Sequence, residues 1–386
     1  MLQVLWLASW YPNRYDQYNG DFIQRHAMAV APFCRLHVIH LQLVPATWQQ
    51  QLCVVENVDQ DFFTETIIYL RQSDAIAPLN KIIDQYNYNR FFTKAVKRCL
   101  LQQQPAMVHV HVPVKAGSIG LWLKRKLKLP MLVTEHWSIY NDNAPDKYAT
   151  RSLWFKYVTR QVFRQADVFL PVSKNLGEAV NKLVLPTSYT VLFNVVDTRL
   201  FCYQPYEAEG LFWFAHVSML TEQKNPKGLL RAFAAAIQQN KALRLRMIGN
   251  PLPALIAYIK ELGIQHFVVF TGIVNQSDVA SLLRQSQALV LFSFYENMPC
   301  VIAEAQCCGL PVIATMVGGI AEIVNDANGI LIEPADEAAC TKAMLQMAVE
   351  NKYKRKAIAE KAVGLFSYEV IGAKLNGIYE GLDKTS

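Results

Sequence analysis

Two carboxylates eight residues apart, Glu296 and Glu304, stand in the run Ser293-Phe-Tyr-Glu296-Asn-Met-Pro299-Cys-Val-Ile-Ala-Glu304-Ala-Gln-Cys-Cys-Gly309-Leu-Pro-Val-Ile-Ala314. The pattern is strand, tight loop, helix, glycine turn, strand. Pro299 suits the first helical position, where a missing N–H costs nothing. Glu296 then falls in the loop at the strand's carboxyl end, and Glu304 falls well inside the helix. The amides of Asn297, Met298, Cys300 and Val301 cluster at a positive helix end, which favours an anion. A carboxylate on each side of such an anion can accept hydrogen bonds from sugar hydroxyls. At this spacing alone, a dipole-satisfying acid and a surface acid are the commoner pair. Lys224 precedes Asn225-Pro226, a helix cap and first residue. A cation beside a positive helix end is repelled unless an anion lies between them, and a phosphate resolves this. The competing reading is a flexible surface lysine. Gly20, in Asn19-Gly20-Asp21, opens the helical pattern Phe22–Val30. It allows either close backbone approach to a ligand or an ordinary turn. His136 follows Thr134-Glu135 at the carboxyl end of a strand and therefore faces any cleft there. A lone histidine is more often structural, and His109 and His111 are given that reading. Glu135 either orients His136 or caps the next turn.

The elements that position these residues are short and continuously apolar. Strands are expected at Val4–Ala8, Leu36–Leu41, Val108–Val112, Met131–Thr134, Val168–Val172, Leu211–Val217, Leu243–Ile248, Phe267–Thr271, Ala288–Phe292 and Pro311–Ala314. Unbroken apolar runs mark parallel strands covered on both faces. Helical patterns lie between them at Tyr88–Gln103, Leu153–Gln165, Lys227–Gln238 and Ser277–Ser286, with a last one at Tyr368–Leu382 after a weakly patterned stretch at Gly364–Ser367. The alternation predicts doubly wound α/β architecture. Asn194–Gly210 carries little pattern and separates two such series. Two domains facing each other would leave a cleft lined by the carboxyl ends of both sheets.

The chain has 386 residues, of which 52% are hydrophobic and 18% charged, so it can bury a large core and is neither disordered nor fibrous. No apolar run reaches the ~18 residues of a membrane span. The start, MLQVLWLASWYP, lacks a basic region and a cleavage site and is taken as a buried strand. The eight cysteines show no metal spacing, are expected to be reduced buried thiols, and suggest a cytoplasmic protein. The overall charge of +7 is one-sided: residues 1–200 carry net +8 and residues 201–386 net −1. Arg90, Lys94, Lys97 and Arg98, and the cluster Lys124-Arg-Lys-Leu-Lys128, are solvated helix faces or a docking surface for anionic lipid at the inner membrane face. Nucleic acid is not expected, because no recognition motif accompanies the charge.

The run at 293–314 resembles the Glu-x7-Glu signature of retaining glycosyltransferases of family 4, which have the GT-B fold of two Rossmann-like domains. The resemblance extends over most of the chain. Gly318-Gly319-Ile-Ala-Glu322-Ile is similar to the family's GGxxE segment, Val191-Leu-Phe-Asn194-Val-Val-Asp197 to the segment ending the first domain (with Val195 for a glycine), and Phe366-Ser367-Tyr368 with the final helix to the segment crossing back to that domain. The resemblance implies an acceptor-binding domain at 1–200, a nucleotide-sugar-binding domain at 201–366 and a crossover helix at 367–386. It implies that Glu296 holds the donor sugar, Glu304 the ribose, Lys224 the diphosphate and His136 the sugar at the reaction centre. Gly20 and the Asn297, Met298, Pro299, Cys300 and Val301 turn would face the donor, Gly272 and Ile273 the base. Ser173 also matches a family position. HVSMLTEQKN departs from the family pattern: Met219 replaces a phosphate-binding arginine and Ser218 a glycine, so either donor affinity is weaker or another cation substitutes, with Lys227 the nearest candidate. Trp10, Tyr11, Trp137 and Tyr140 either stack on acceptor sugar faces or pack their loops.

The expected activity is metal-independent, retaining transfer of a sugar from a UDP- or GDP-sugar to a glycan or lipid-linked acceptor in cell-surface polysaccharide or glycoconjugate synthesis. The alternatives are a nucleotide-sugar epimerase or sugar phosphorylase on the same fold, or a non-catalytic nucleotide-sugar or membrane-binding scaffold.

Overall fold

The computed structural model describes residues 1–60, 63–102, 104–205, 210–350 and 352–384. Its first sheet contains β1 (Gln3–Ala8), β2 (Arg35–Val44), β3 (Cys53–Asp59), β4 (Phe63–Arg71), β5 (Met107–His111), β6 (Met131–Glu135) and β7 (Val168–Pro171), in the order β3-β4-β2-β1-β5-β6-β7. All neighbours are parallel except β3 against β4. The second sheet contains β8 (Phe212–Val217), β9 (Leu243–Ile248), β10 (Val268–Gly272), β11 (Ala288–Leu291), β12 (Val312–Thr315) and β13 (Gly329–Ile332), all parallel, in the order β10-β9-β8-β11-β12-β13. The helices are α1 (Asp21–Val30), α2 (Leu79–Gln102), α3 (Ala116–Leu127), α4 (Leu153–Gln165), α5 (Lys174–Leu183), α6 (Pro226–Gln239), α7 (Pro253–Glu261), α8 (Gln276–Arg284), α9 (Cys300–Cys307), α10 (Glu337–Val349), α11 (Arg355–Phe366) and α12 (Tyr368–Asp383).

Every strand expected from its apolar run is present. Three were not expected, for physical reasons. β3 is an edge strand with most side chains in solvent, β4 mixes polar and apolar residues, and β13 offers only three consecutive apolar residues after a glycine, two of them half-buried. The stretch at Gly364–Ser367 is also corrected, because α11 runs through Gly364 to Phe366. Of the regions expected from pattern, Gln103 and 206–209 lie outside the described residues.

Alternation along β1 divides the first core into two layers. Leu5 and Leu7 pack in the layer of Tyr88, Phe92 and Ile119, while Val4 and Trp6 pack with Ile23, Ala27, Leu375 and Tyr379. The last of these belong to α12, which crosses back from the second sheet. The chain makes a bridge at Val196 and Ser367 where it crosses. A Cβ on Gly372 would meet the Ala29 carbonyl oxygen at 2.0 Å, so α12 lies directly on α1. Tyr379 fixes it: its hydroxyl accepts from Trp6 Nε1 at 3.0 Å and lies 2.7 Å from His109 Nδ1. Register brings Ala8, His40, His111 and Thr134 side by side at the end of β1, which sets the height of the first cleft wall. Among the described residues no helix is long and apolar enough to cross a membrane. All eight cysteines are unbridged and five are buried.

Candidate active site

Where the chain leaves β11, Glu296 is caught from two sides. Ser293 Oγ donates to its Oε1 at 2.7 Å, and Lys224 Nζ lies 2.5 Å from the same oxygen. The loop is held by Gln223, which accepts from the Phe294 amide and donates to the Tyr295 carbonyl. Two glycines make room beneath it. Gly318 has φ +56°, and a Cβ there would sit 2.0 Å from the Glu296 carbonyl oxygen; the Gly319 amide donates to the Asn297 carbonyl at 2.7 Å. The sequence pair Gly318-Gly319 is therefore needed to seat Glu296.

Pro299 caps α9 rather than beginning it, because its ψ of 121° is extended. Cys300 and Val301 are the first helical residues, and their amides have no preceding turn to bond. Glu304, on the next turn but buried, accepts from Arg25 Nη1 at 2.6 Å. Arg25 comes from α1, under the other sheet, and its Nη2 donates to Asp21 at 2.9 Å. Burial raises the Glu304 pKa, and Arg25 opposes that shift. Cys300 feels both Arg25 and Lys224, and burial pushes its thiol up to about 12.

Lys224 ends a single 3-10 turn, Glu222–Lys224. Asn225, at φ 48°, then caps α6 by accepting from the Gly228 amide at 3.1 Å, with Pro226 first in the helix. The cap is as expected, but the ammonium is paired with Glu296 rather than standing free.

The second sheet's other loops converge on the same edge. A Cβ on Gly249 would overlap the Ser218 carbonyl oxygen at 1.9 Å, and the Gly249 amide donates to Gly272, whose φ is +76°. Ile273, beyond it, is half exposed. Ser218 fills the place of the expected glycine by bonding His216 Nε2 at 2.8 Å and the Leu220 amide at 3.0 Å. Met219 is 57% exposed. Lys227, the nearest cation in sequence, has its Nζ 5.7 Å from the centroid of the Tyr258 ring of α7.

The first wall is neutral and aromatic. The His136 ring lies 4.6 Å from Phe22, 5.7 Å from His26 and 6.1 Å from His111. Among the described residues, neither its ring nitrogens nor those of His111 have a hydrogen-bond partner. Burial holds both imidazoles well below the ordinary histidine pKa, with the Asn194 side chain opposing the shift at His136. His109 is fully bonded, to Tyr379 and to Thr134 Oγ1 at 2.6 Å, so its structural reading stands. Glu135 caps the turn: Oε1 accepts from the amides of His136 and Trp137, and Oε2 from Tyr140.

Gly20, at φ +68°, would bring a Cβ within 2.8 Å of the Trp10 backbone, so its close approach is to protein. Tyr11 and Tyr140 are corrected as acceptor residues. Tyr11 is fully buried with its hydroxyl donating to Glu65 at 2.6 Å, and Tyr140 is buried, bonded to Glu135 and stacked on Tyr148. Trp10 and Trp137 pack edge to face at 5.3 Å and remain half-buried.

Side chains from each sheet reach backbone of the other. Asn194 donates to the Met298 carbonyl at 2.8 Å, and Asn297 to the His136 carbonyl at 2.7 Å. Glu322 accepts from the amides of Lys174 and Asn175, both at 2.8 Å, at the start of α5. Ser173 caps α5 internally, and a Cβ on Gly319 would meet it at 2.5 Å. The cleft thus gathers Glu296, Lys224, Glu304, His136 and the α9 turn. Arg25 was missed. Its signal is an arginine inside DFIQRHAMAV, among residues whose other buried members, His26 apart, are apolar. Among the described residues no group of three or more His, Cys, Asp or Glu could hold a metal.

The family model described as Glycosyl transferases group 1 matches residues 205–363, and that described as Glycosyltransferase Family 4 matches residues 57–200. The N-acetyl-alpha-D-glucosaminyl L-malate synthase of Bacillus anthracis is 28% identical over 205 residues, covering 50% of this chain; the match spans about half (52%) of that relative's length. Sucrose-phosphate synthase from Thermosynechococcus elongatus superposes with a TM-score of 0.78 at 17% identity, over 100% of both chains. The Anabaena HepE protein, solved with UDP and glucose, superposes with a TM-score of 0.69 at 16% identity, over 98% of this chain and 99% of its own. With both halves matched and the two-sheet architecture shared with GT-B enzymes, the chain belongs to glycosyltransferase family 4 and has the GT-B fold.

Proposed function

We propose that the protein transfers a sugar from a nucleoside diphosphate sugar to a glycan or lipid-linked acceptor, with retention of configuration and without a metal. The observation that carries this is the Lys224–Glu296 pair in the loop that leads to the α9 amides, with Glu304 one turn into that helix. On this reading Glu296 accepts the donor sugar's hydroxyls and Glu304 those of the ribose. Lys224 exchanges its carboxylate for the diphosphate. The leaving diphosphate is stabilised by Lys224 and the helix end, an electrostatic strategy that needs no side-chain nucleophile. His136, neutral, offers one nitrogen as donor and one as acceptor to the sugar. Gly272 and Ile273 lie against the base. HepE's complex with UDP and glucose supports a UDP-sugar over a GDP-sugar. Residues 1–200 bind acceptor, 201–366 donor, and 367–386 tie the two together. The exposed basic residues Lys94, Lys97 and Arg98 on α2, with Arg125, Lys126 and Lys128 at the end of α3, support the reading of a cytoplasmic, peripheral protein that meets an anionic membrane surface and a lipid-linked acceptor of cell-surface glycan synthesis.

Thermal stabilisation by UDP-, GDP-, ADP- and dTDP-sugars tests the donor, because ligand that binds only the folded state raises its stability. A selective shift, followed by transfer to acceptor with the anomeric centre checked by NMR, is the expected result. Stabilisation with no transfer across a broad acceptor panel favours a nucleotide-sugar-binding scaffold, the reading that Met219, without a phosphate-binding charge, supports.

A further inference from the structure

Glu304 is 7% exposed and Arg25 6% exposed, yet they belong to elements packed on different sheets. A carboxylate buried so deeply is costly unless paired. Its partner is delivered across the cleft by α1. Arg25 is itself braced: Nη2 donates to Asp21, and Gln276 of α8 reaches the same Asp21 oxygen at 3.3 Å. The planar guanidinium therefore joins two carboxylates, one from each side, in fixed geometry. Only Glu304 Oε1 is engaged, and Oε2 makes no hydrogen bond among the described residues. A carboxylate has about four acceptor positions, so Glu304 keeps capacity for ligand hydroxyls while Arg25 holds it. If the domains parted, the pair would separate, and both groups would take up water and rotamer freedom.

We propose that Arg25 is a positioning residue for the nucleoside: it holds Glu304 across the cleft, so that ribose binding and the meeting of the two domains are one event. This rests on the donor reading of Glu304. The phosphate end of the donor, at Lys224 and α9, does not depend on Arg25 in this scheme.

The test is calorimetric titration of wild type, Arg25→Met, Glu304→Gln and the double variant. The ligands are whichever of UDP, GDP, ADP or dTDP wild type binds best, and inorganic pyrophosphate. Each single variant should lose at least tenfold in nucleotide affinity and stay within twofold for pyrophosphate. The double variant should be no more than threefold worse than either single one, because both changes break one contact. Small-angle scattering should show nucleotide-induced contraction in wild type and not in Arg25→Met. Arg25→Lys keeps the charge but loses the fork, and should be intermediate. Arg25→Met within twofold of wild type for nucleotide overturns the proposal while the donor reading stands. So does equal loss of nucleotide and pyrophosphate, which marks a general structural role. Wild type that binds no nucleotide overturns the donor reading and this proposal together.

Discussion

The two walls of the cleft are built from opposite materials. The second wall carries charge, Glu296 paired with Lys224 and the buried Glu304, drawn from the contiguous stretch 293–322 and one neighbouring turn; the first wall sends the charge of Arg25 across to Glu304. The first wall carries neutral imidazoles, His26, His109, His111 and His136, packed against Trp6 and Phe22. A charged wall suits an ionic ligand whose phosphates exchange places with the carboxylates. A neutral wall on which His111 and His136 make no ring hydrogen bond among the described residues suits hydroxyls. The contrast implies that damage to the second wall should remove chemistry first, and damage to the first wall should remove stability first.

The largest expected effect is therefore on the second wall. Glu296→Ala or Lys224→Ala should lower turnover at least tenfold with the fold retained, as checked by initial rates and circular dichroism. Each leaves its former partner without a counter-charge in a largely buried site, so melting should also drop, by about 1–3 kcal/mol of stability. Near-normal turnover in both variants would refute the assignment of these residues.

Paired glycine substitutions sharpen the comparison. Gly318→Ala places a methyl 2.0 Å from the Glu296 carbonyl oxygen at φ +56°, so the loop carrying Glu296 must move. Gly20→Ala places one 2.8 Å from the Trp10 backbone at φ +68°. Both should cost about 1–3 kcal/mol of stability. Gly318→Ala should in addition lose about tenfold in turnover, about 1.4 kcal/mol of barrier, whereas Gly20→Ala should lose less than threefold when assayed below its melting temperature. Equal kinetic losses would dissolve the distinction between the walls.

Much of the second wall was legible because its chemistry is contiguous: one strand–loop–helix run places Glu296, the capping turn and Glu304, and Gly318-Gly319 follows within the next turn. The capping role of Asn225 was legible for the same local reason. The first wall was less so. His136 could be located at a strand end, but its ring neighbours come from α1 (Phe22 and His26) and β5 (His111), which only the tertiary fold brings together. Tyr11 and Tyr140 look in sequence like loop aromatics free to stack, and only the buried acids Glu65 and Glu135 show why they turn inward. Arg25 was invisible because its partner lies 279 residues away, across the cleft.

The walls should also differ in acid. Burial holds His109 at about 3 and His40 at about 4, both on the first sheet, and His216 on the second at about 4. The unfolded chain protonates its histidines near 6.5, so it binds more protons than the folded state below that pH, and stability falls as pH drops from about 6.5 towards 4. Each such histidine contributes up to about 1.4 kcal/mol per pH unit. Glu135, pushed up to about 7 by burial, acts in the opposite sense: the folded state holds its proton between about 4.5 and 7, which partly offsets the loss. Melting temperature against pH should be flat above about 7 and decline below about 6.5. His111→Asn should flatten that decline, and Glu135→Gln should steepen it. A profile unchanged in both variants would show that the first wall's neutral groups do not govern acid sensitivity.

The smallest effects belong to the mouth of the second wall. Lys227 lies along α6 over the Tyr258 ring, so Lys227→Ala should leave nucleotide affinity within twofold, with at most about 1 kcal/mol of stability lost with the ring contact. Met219 is exposed, and on the proposed donor reading it stands where a cation would meet the diphosphate. Met219→Arg should tighten binding of the nucleoside diphosphate by roughly three- to tenfold, since an exposed charge gains about 1 kcal/mol in high dielectric. The gain should shrink as salt rises from 0.05 to 0.5 M, because exposed charges are screened. Titration at the two salt concentrations separates the cases. A Lys227→Ala loss larger than the Met219→Arg gain would mean that Lys227 leaves the Tyr258 ring when ligand arrives and is the wall's second phosphate cation after all.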